Sequence, residues 1–250
     1  MSAEHRAIGL PDPLLYPEIA AAGGLAVALS QTASSTGLDL HDVAGPEGPE
    51  HLRAAVIGTD RGYISVNTAL LERWFLLDTW WRGVRLMWGK AADMNAVAGV
   101  AHAWQSGAPL REIQDRWPFI SLDEKSEAHE RGDADEVVRI QWHRLQTCSG
   151  HPELDAVINA AFRQPRLRVL YPYTSHNRLC FSSRVGYPYS VGLPLIERLG
   201  VGQFRVIGKS LPAQTRSPTE AAAAAAAGLP DNCGPAKIGT AEDDDQTDHT

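Results

Sequence analysis

Apolar side chains first recur at helical spacing between Pro17 and Leu29, where Ile19, Ala22, Ala26 and Leu29 share one face. Pro17 suits a first helical position and Gly37 suits a left-handed cap, so one helix is expected from Pro17, ending by Gly37. From Leu52 to Lys90 the period changes. The segments AAVIG, YISVN, RWFLLD and GVRLMW are short and rich in β-branched and aromatic residues, with turn signals such as Asp60-Arg61-Gly62 between them. This pattern predicts an antiparallel meander of three or four strands. Asp93 then caps a helix carrying Met94, Val97, Ala101 and Trp104 on one stripe. Pro109 opens a shorter helix on Leu110, Ile113 and Trp117, and Pro118 stops it.

Ser121 and Glu124 have the spacing of a capping box and predict a helical region, broken or bent near Gly132, that continues through Val138, Trp142 and Leu145. Leu154, Val157, Ile158, Ala161 and Phe162 give the cleanest helix, closed by Pro165. Strand-like segments return as RLRVL, RLCFS, LPLIE and QFRVI. Ser217 and Glu220 form a second capping box around Pro218, ahead of seven alanines and Gly228. A helix of about ten residues is marginal alone, so this one must dock, and its small side chains permit close approach to a sheet. Strands cluster instead of alternating with helices. The expected fold is therefore α+β: two antiparallel β-meander clusters, each followed by a helix, around a central helical block. Residues 1–15 read as an irregular lead-in and 16–228 as a single domain, divisible into 16–118 and 119–228.

Composition adds bounds. Of 250 residues, 44% are apolar and 21% charged, which suits a globular chain with a sizeable core. No apolar run reaches the roughly 18 residues that span a bilayer. Ile19–Leu29 follows acidic Asp12 and Glu18, unlike a secretory signal. Three widely spaced cysteines make no disulfide framework, so a cytoplasmic protein with no membrane partner is expected. Of the net charge of −7, −5 lies in Leu229–Thr250, where six acids face only Lys237. That tail is expected to be disordered. The remainder is too nearly neutral for a general nucleic-acid binder.

Most candidate motifs fail on spacing. Gly208-Lys209-Ser210 lacks the earlier glycine of a phosphate loop and follows a strand. His143, Cys148 and His151 fall on different helix faces and have no Cys-x-x-Cys support as a metal site. No nucleophile elbow, His-Glu-x-x-His or dinucleotide fingerprint occurs, and no cofactor is expected. Trp80 and Trp81 point to opposite faces of a strand, so one of them is left as a modest surface candidate.

The segment YPYTSHNRLCFSSRVGYPYS, residues 171–190, is different. It holds four of the six tyrosines and lies in a run of 41 residues, Ala156 to Ile196, without a single acid. Arg163, Arg166, Arg168, Arg178 and Arg184 lie in the same run. Arginine favours carboxylate and phosphate through its planar fork, and tyrosine stacks or donates. Tyr171, Tyr173, Arg178, Arg184, Tyr187 and Tyr189 are therefore the candidate ligand-binding residues for an anionic or aromatic small molecule. Tyr171 and Tyr173 face one side of an extended segment. His176 is the candidate acid–base group, because an ordinary pKa of about 6.5 suits proton transfer. A structural alternative stands beside this reading: the arginines neutralise the acidic stretch Asp123–Glu136 within the fold.

The segments WQSGAPLREIQDRWPF and LYPYTSHNRLCFS, in an order that runs from YPEIAAAGGLAVAL to QFRVIGKS, resemble a bacterial family of unknown function, number sixty-one ninety-three, labelled "natural product biosynthesis protein". The likeness spans about Tyr16 to Pro230. It implies association with secondary metabolism and supplies no catalytic residues. Two functions are therefore expected as alternatives. One is an accessory protein or enzyme of natural-product biosynthesis that binds an anionic or aromatic intermediate. The other is a non-catalytic interaction module, immunity-like or regulatory, whose Arg segment meets an acidic protein partner.

Overall fold

The computed structural model describes residues 9–148, 152–208 and 211–245. The chain divides into two compact units. One comprises Met1–Trp81 and Arg85–Glu127, the other Arg82–Val84 and Ala128–Thr250. The fold is α+β, with one antiparallel sheet of six strands and one of five.

In the first unit the strands β1 (Val43–Ala44), β2 (Ala54–Thr59), β3 (Gly62–Thr68), β4 (Phe75–Trp81), β5 (Val84–Ala91) and β6 (Ile120–Leu122) pair in sequence order. Alternation sets the inner face: Ile57 lies opposite Ile64, Val66 opposite Leu77, and Thr68 opposite Phe75, all buried. The helices α1 (Pro17–Ala22), α2 (Leu25–Ser35), α3 (Met94–Gln105) and α4 (Leu110–Arg116) accompany this sheet, and α2 and α3 pack on each other and on β2. Asp93 caps α3 by accepting the Asn95 N–H at 3.0 Å. Tyr16, 1% exposed, ties the strand connection down. Its hydroxyl accepts the Trp74 N–H and lies 2.9 Å from the carbonyls of Ala69 and Glu72.

Two expectations change here. The single helix from Pro17 is two, because Gly23 closes α1 at φ +77° and Gly24 re-enters extended. Ser121 opens no helix. It pairs with Trp88 at the sheet edge, and the next helix, α5, is Ser126–Glu130. The Ser126 hydroxyl accepts the Asp123 N–H at 3.0 Å and donates to the Leu86 carbonyl, which displaces the expected box.

In the second unit β7 (Tyr171–Ser175), β8 (Arg178–Ser182), β9 (Leu195–Gly200), β10 (Gln203–Gly208) and β11 (Leu211–Thr215) again pair in sequence order. The helices are α6 (Ala134–Cys148), α7 (Pro152–Phe162), a turn α8 (Pro165–Arg168), α9 (Pro218–Ala227) and a short α10 (Glu242–Asp245). RLRVL, expected as a strand, is mostly that helical turn, because Pro165 in first-turn position presets a helical φ. Leu179, Phe181, Ile196, Phe204 and Val206 face the core with Trp142, Val157, Ile158 and the buried methyls of Ala221, Ala222, Ala225 and Ala226. The alanine helix thus docks on α7 and β10, capped by Ser217, whose hydroxyl accepts the Glu220 N–H. Glu220 does not return the bond to complete a box, because its carboxylate accepts from Thr215.

Within the tail expected to be disordered, residues 229–245 follow a defined path, and residues 246–250 lie outside the described residues. Ala236 N–H donates to Val169 O and Lys237 N–H to Ser183 O, while Val185 and Gly186 N–H donate to Lys237 and Gly239 carbonyls. Leu229 and Ala236 are buried, so two apolar anchors hold what the acids alone would not.

Candidate functional site

The Tyr/Arg segment separates into three places within the second unit. The first is a tyrosine cluster on the outer face of the sheet. Tyr171 and Tyr173 are two apart on β7, and both reach Tyr189, at ring-centroid distances of 5.7 and 4.3 Å. Tyr187 meets Tyr189 edge-on at 5.8 Å. The connection from β8 to β9 folds back over the sheet to bring Tyr189 there. Ser182 and Ser190 hold it: their hydroxyls lie 3.0 Å apart, Ser190 accepts the Ser183 N–H, and Ser182 accepts the Arg184 N–H. Tyr171 is thereby buried, whereas Tyr187 is 69% exposed.

Tyr173 pairs with Cys180 across β7 and β8. Burial, with Cys180 beside it, pushes the Tyr173 phenol up to about 12 from its ordinary 10.0. Burial also raises the Cys180 thiol, although its hydrogen bond with Tyr173 acts in the opposite direction. A phenol whose folded-state pKa is raised keeps its proton where the unfolded chain loses it. Its stabilisation is complete below pH 10.0 and is lost as pH rises toward about 12. Unfolding free energy should therefore fall more steeply with alkaline pH in the parent than in Tyr173→Phe, read by urea denaturation above pH 9 or so. Equal slopes would contradict it.

The second place is the β7–β8 turn. His176 sits there at φ +54°, exposed, with its ring 3.3 Å from the Ser175 hydroxyl, and it does not join the tyrosine cluster. Arg178 lies opposite Glu197 on β9, and its Nε donates to that carboxylate at 2.9 Å. Arg205 reaches the same carboxylate from β10. The Arg205 and Arg178 hydrogen bonds hold Glu197 below the usual carboxylate range. Two other arginines of the run and one acid of the Asp123–Glu136 stretch have near partners. Arg166 donates to the carbonyls of Ala226, Leu229 and Pro230, Arg168 lies 5.9 Å over the Phe162 ring, and Glu136 pairs with Arg139.

The third place is a pocket of about 360 Å³ between the start of the β8–β9 connection and the 230–237 segment. Arg184 and Lys237 line it side by side, as partners of a parallel backbone bridge. Asn232, Cys233, Leu193 and Pro230 complete much of the wall, and no lining residue is acidic. Arg184 also donates to the Ile238 carbonyl at 3.3 Å. Burial raises the Cys233 thiol, against the pull of the Arg166 charge, so it is no activated nucleophile. Of the candidate ligand residues, Arg184 alone lines this pocket. Asn232, Cys233 and Lys237 escaped the sequence reading because they lie in the acidic tail. The signal that could have found them is the apolar content of PAKI at 235–238.

The pocket presents two cationic side chains, Arg184 and Lys237, to its interior wall without an acidic residue among those that line it. Among the described residues no three His, Cys, Asp or Glu gather closely enough to hold a metal, and no helix is long and apolar enough to cross a membrane. Lys209 and Ser210 of the rejected phosphate loop, His151 and the Cys148 side chain lie outside the described residues. No curated protein and no solved structure matches the chain. Residues 136–240, almost all of the described part of the second unit, match the model of a family of unknown function, DUF6193.

Proposed function

We propose that this chain is an accessory protein, or an enzyme, of bacterial natural-product biosynthesis, acting in the cytoplasm and holding a small anionic or aromatic intermediate in its second unit. The observation that carries the binding half of this reading is the Arg184–Lys237 pair lining an acid-free pocket. Oxyanions are held by such forks and point charges. The association with secondary metabolism rests on the resemblance in sequence. A partner-docking reading leans on Arg178, and that side chain is engaged by Glu197.

The test is a thermal-shift screen of the parent chain and Lys237→Met against small acids and aromatic metabolites. Lys237 is exposed, so the ligand-free melting temperature should not change. A hit at a hundredfold over its Kd should stabilise the parent by about 2.7 kcal/mol, and the variant much less. A hit that stabilises both chains equally would remove this pocket from the account.

A further inference from the structure

We infer that the outer face of the six-stranded sheet binds a neutral carbohydrate, stacked on Tyr63 and Trp80. The inference concerns the first unit and is independent of the pocket reading above. Tyr63 and Trp80 are direct cross-strand partners on β3 and β4. Their chain neighbours Ile64 and Thr79 are buried, so alternation turns both rings to the opposite face, where Tyr63 is 44% exposed. Of the Trp80-Trp81 pair, Trp80 is therefore the ring on this face. The solvated face of an antiparallel sheet is ordinarily polar, which makes adjacent aromatic rings there informative. Neither ring has a hydrogen-bond, ring or cation partner among the described residues.

The neighbouring rows of the sheet select the ligand. Ser65 pairs with Asp78 and Asn67 with Leu76 on the same face, and Val56 lies across from Ser65 on β2. The exposed Val56 and Leu76 are thus separated by polar side chains, and the face lacks the continuous apolar core of a protein interface. Asp78, the charged member of these rows, is neutralised: Arg85 donates to it at 3.1 Å and lies 4.6 Å over the Trp88 ring. An ionic ligand finds no unpaired charge on these rows. What they offer is two open aromatic rings beside an amide, a hydroxyl and a carboxylate. The Asn67 amide makes no side-chain hydrogen bond among the described residues. A pyranose is complementary to this set. Polarised C–H bonds on its face meet the negative face of an aromatic ring, and hydroxyls on its rim meet Asn67, Ser65 and Asp78.

The experiment is native affinity electrophoresis of the full chain in gels holding soluble neutral polysaccharides: starch, a mixed-linkage glucan, xylan and mannan. Acidic polygalacturonate serves as the ionic comparison. Retardation of the parent by at least one neutral polymer is expected, with binding weakened about tenfold in Tyr63→Ala and in Trp80→Ala. Tyr63 is exposed, so its variant should keep the parent's melting temperature and decides the matter if Trp80→Ala fails to fold. Retardation by no neutral polymer, equal retardation of Tyr63→Ala and parent, or polygalacturonate binding as strong as the neutral polymers would overturn the inference. So would self-association in sedimentation that Tyr63→Ala abolishes, which would give the face to a second copy of the chain.

Discussion

Trp142→Ala should destabilise the second unit by about 3–5 kcal/mol, the usual cost of deleting a fully buried large aromatic. The indole is 1% exposed. It packs against Phe162 at 5.5 Å and Phe181 at 6.2 Å, so it joins α7 to β8. Its Nε1 donates to the Arg168 carbonyl at 3.0 Å, which fixes the turn α8 just before the Tyr/Arg segment. Alanine would leave a cavity between two rings and a carbonyl without its donor. Trp142→Phe separates the two effects: it keeps a ring and removes the hydrogen bond, for about 1 kcal/mol. Urea denaturation followed by amide exchange on β7 and β8 reports on this unit alone. A loss near that of the phenylalanine variant would show that α6 collapses into the space.

Gly62→Ala should cost the first unit about 3 kcal/mol or more. Gly62 starts β3 after the Asp60-Arg61 turn at φ +94°, a conformation that strains any L side chain by about 1–2 kcal/mol. A methyl there would also lie 2.0 Å from the Trp80 carbonyl oxygen and 2.9 Å from the Trp81 Cα. Both are backbone atoms of the neighbouring strand, so relief requires β3 and β4 to separate. Overpacking of this kind adds about 1–3 kcal/mol. Gly107→Ala is the matched control, with φ +82° and nothing within 4 Å of the added carbon. It should show the strain without the clash. Equal losses in the two variants would mean that the hairpin yields to the methyl freely.

What the sequence discloses and what it hides divide along physical lines. β2 to β5 are legible because each is a run of six to eight residues rich in β-branched, aliphatic or aromatic side chains, bounded by turn signals. The caps at Asp93 and Ser217 are legible because both partners of the bond lie within three residues. β1 and β6, at two and three residues, have no period and exist only because a neighbouring strand is present. The Ser121 box misleads because a cap and an edge strand use similar residues, and long-range pairing with Trp88 prevails. At the site, two-residue spacing correctly puts Tyr171 and Tyr173 on one face. The turn at His176 and the fold-back that brings Tyr189 over β7 cannot be read from spacing. Nor can the pocket, since half of its wall is joined to the rest by backbone bonds spanning more than fifty residues.

The alanine run of α9 has a consequence for how that helix is positioned. Identical methyls repeat along it, so sliding the helix by one residue would present nearly the same surface to α7 and β10. Its core face therefore encodes no phase. The phase is written at the two ends, by the Ser217 cap at one and by the Arg166 guanidinium on the Ala226, Leu229 and Pro230 carbonyls at the other. Lengthening the run by one alanine would leave the buried surface almost unchanged and put those two anchors in conflict. The helix works as a spacer of fixed length, and because the 229–237 segment starts at its far end, that length sets where Lys237 arrives.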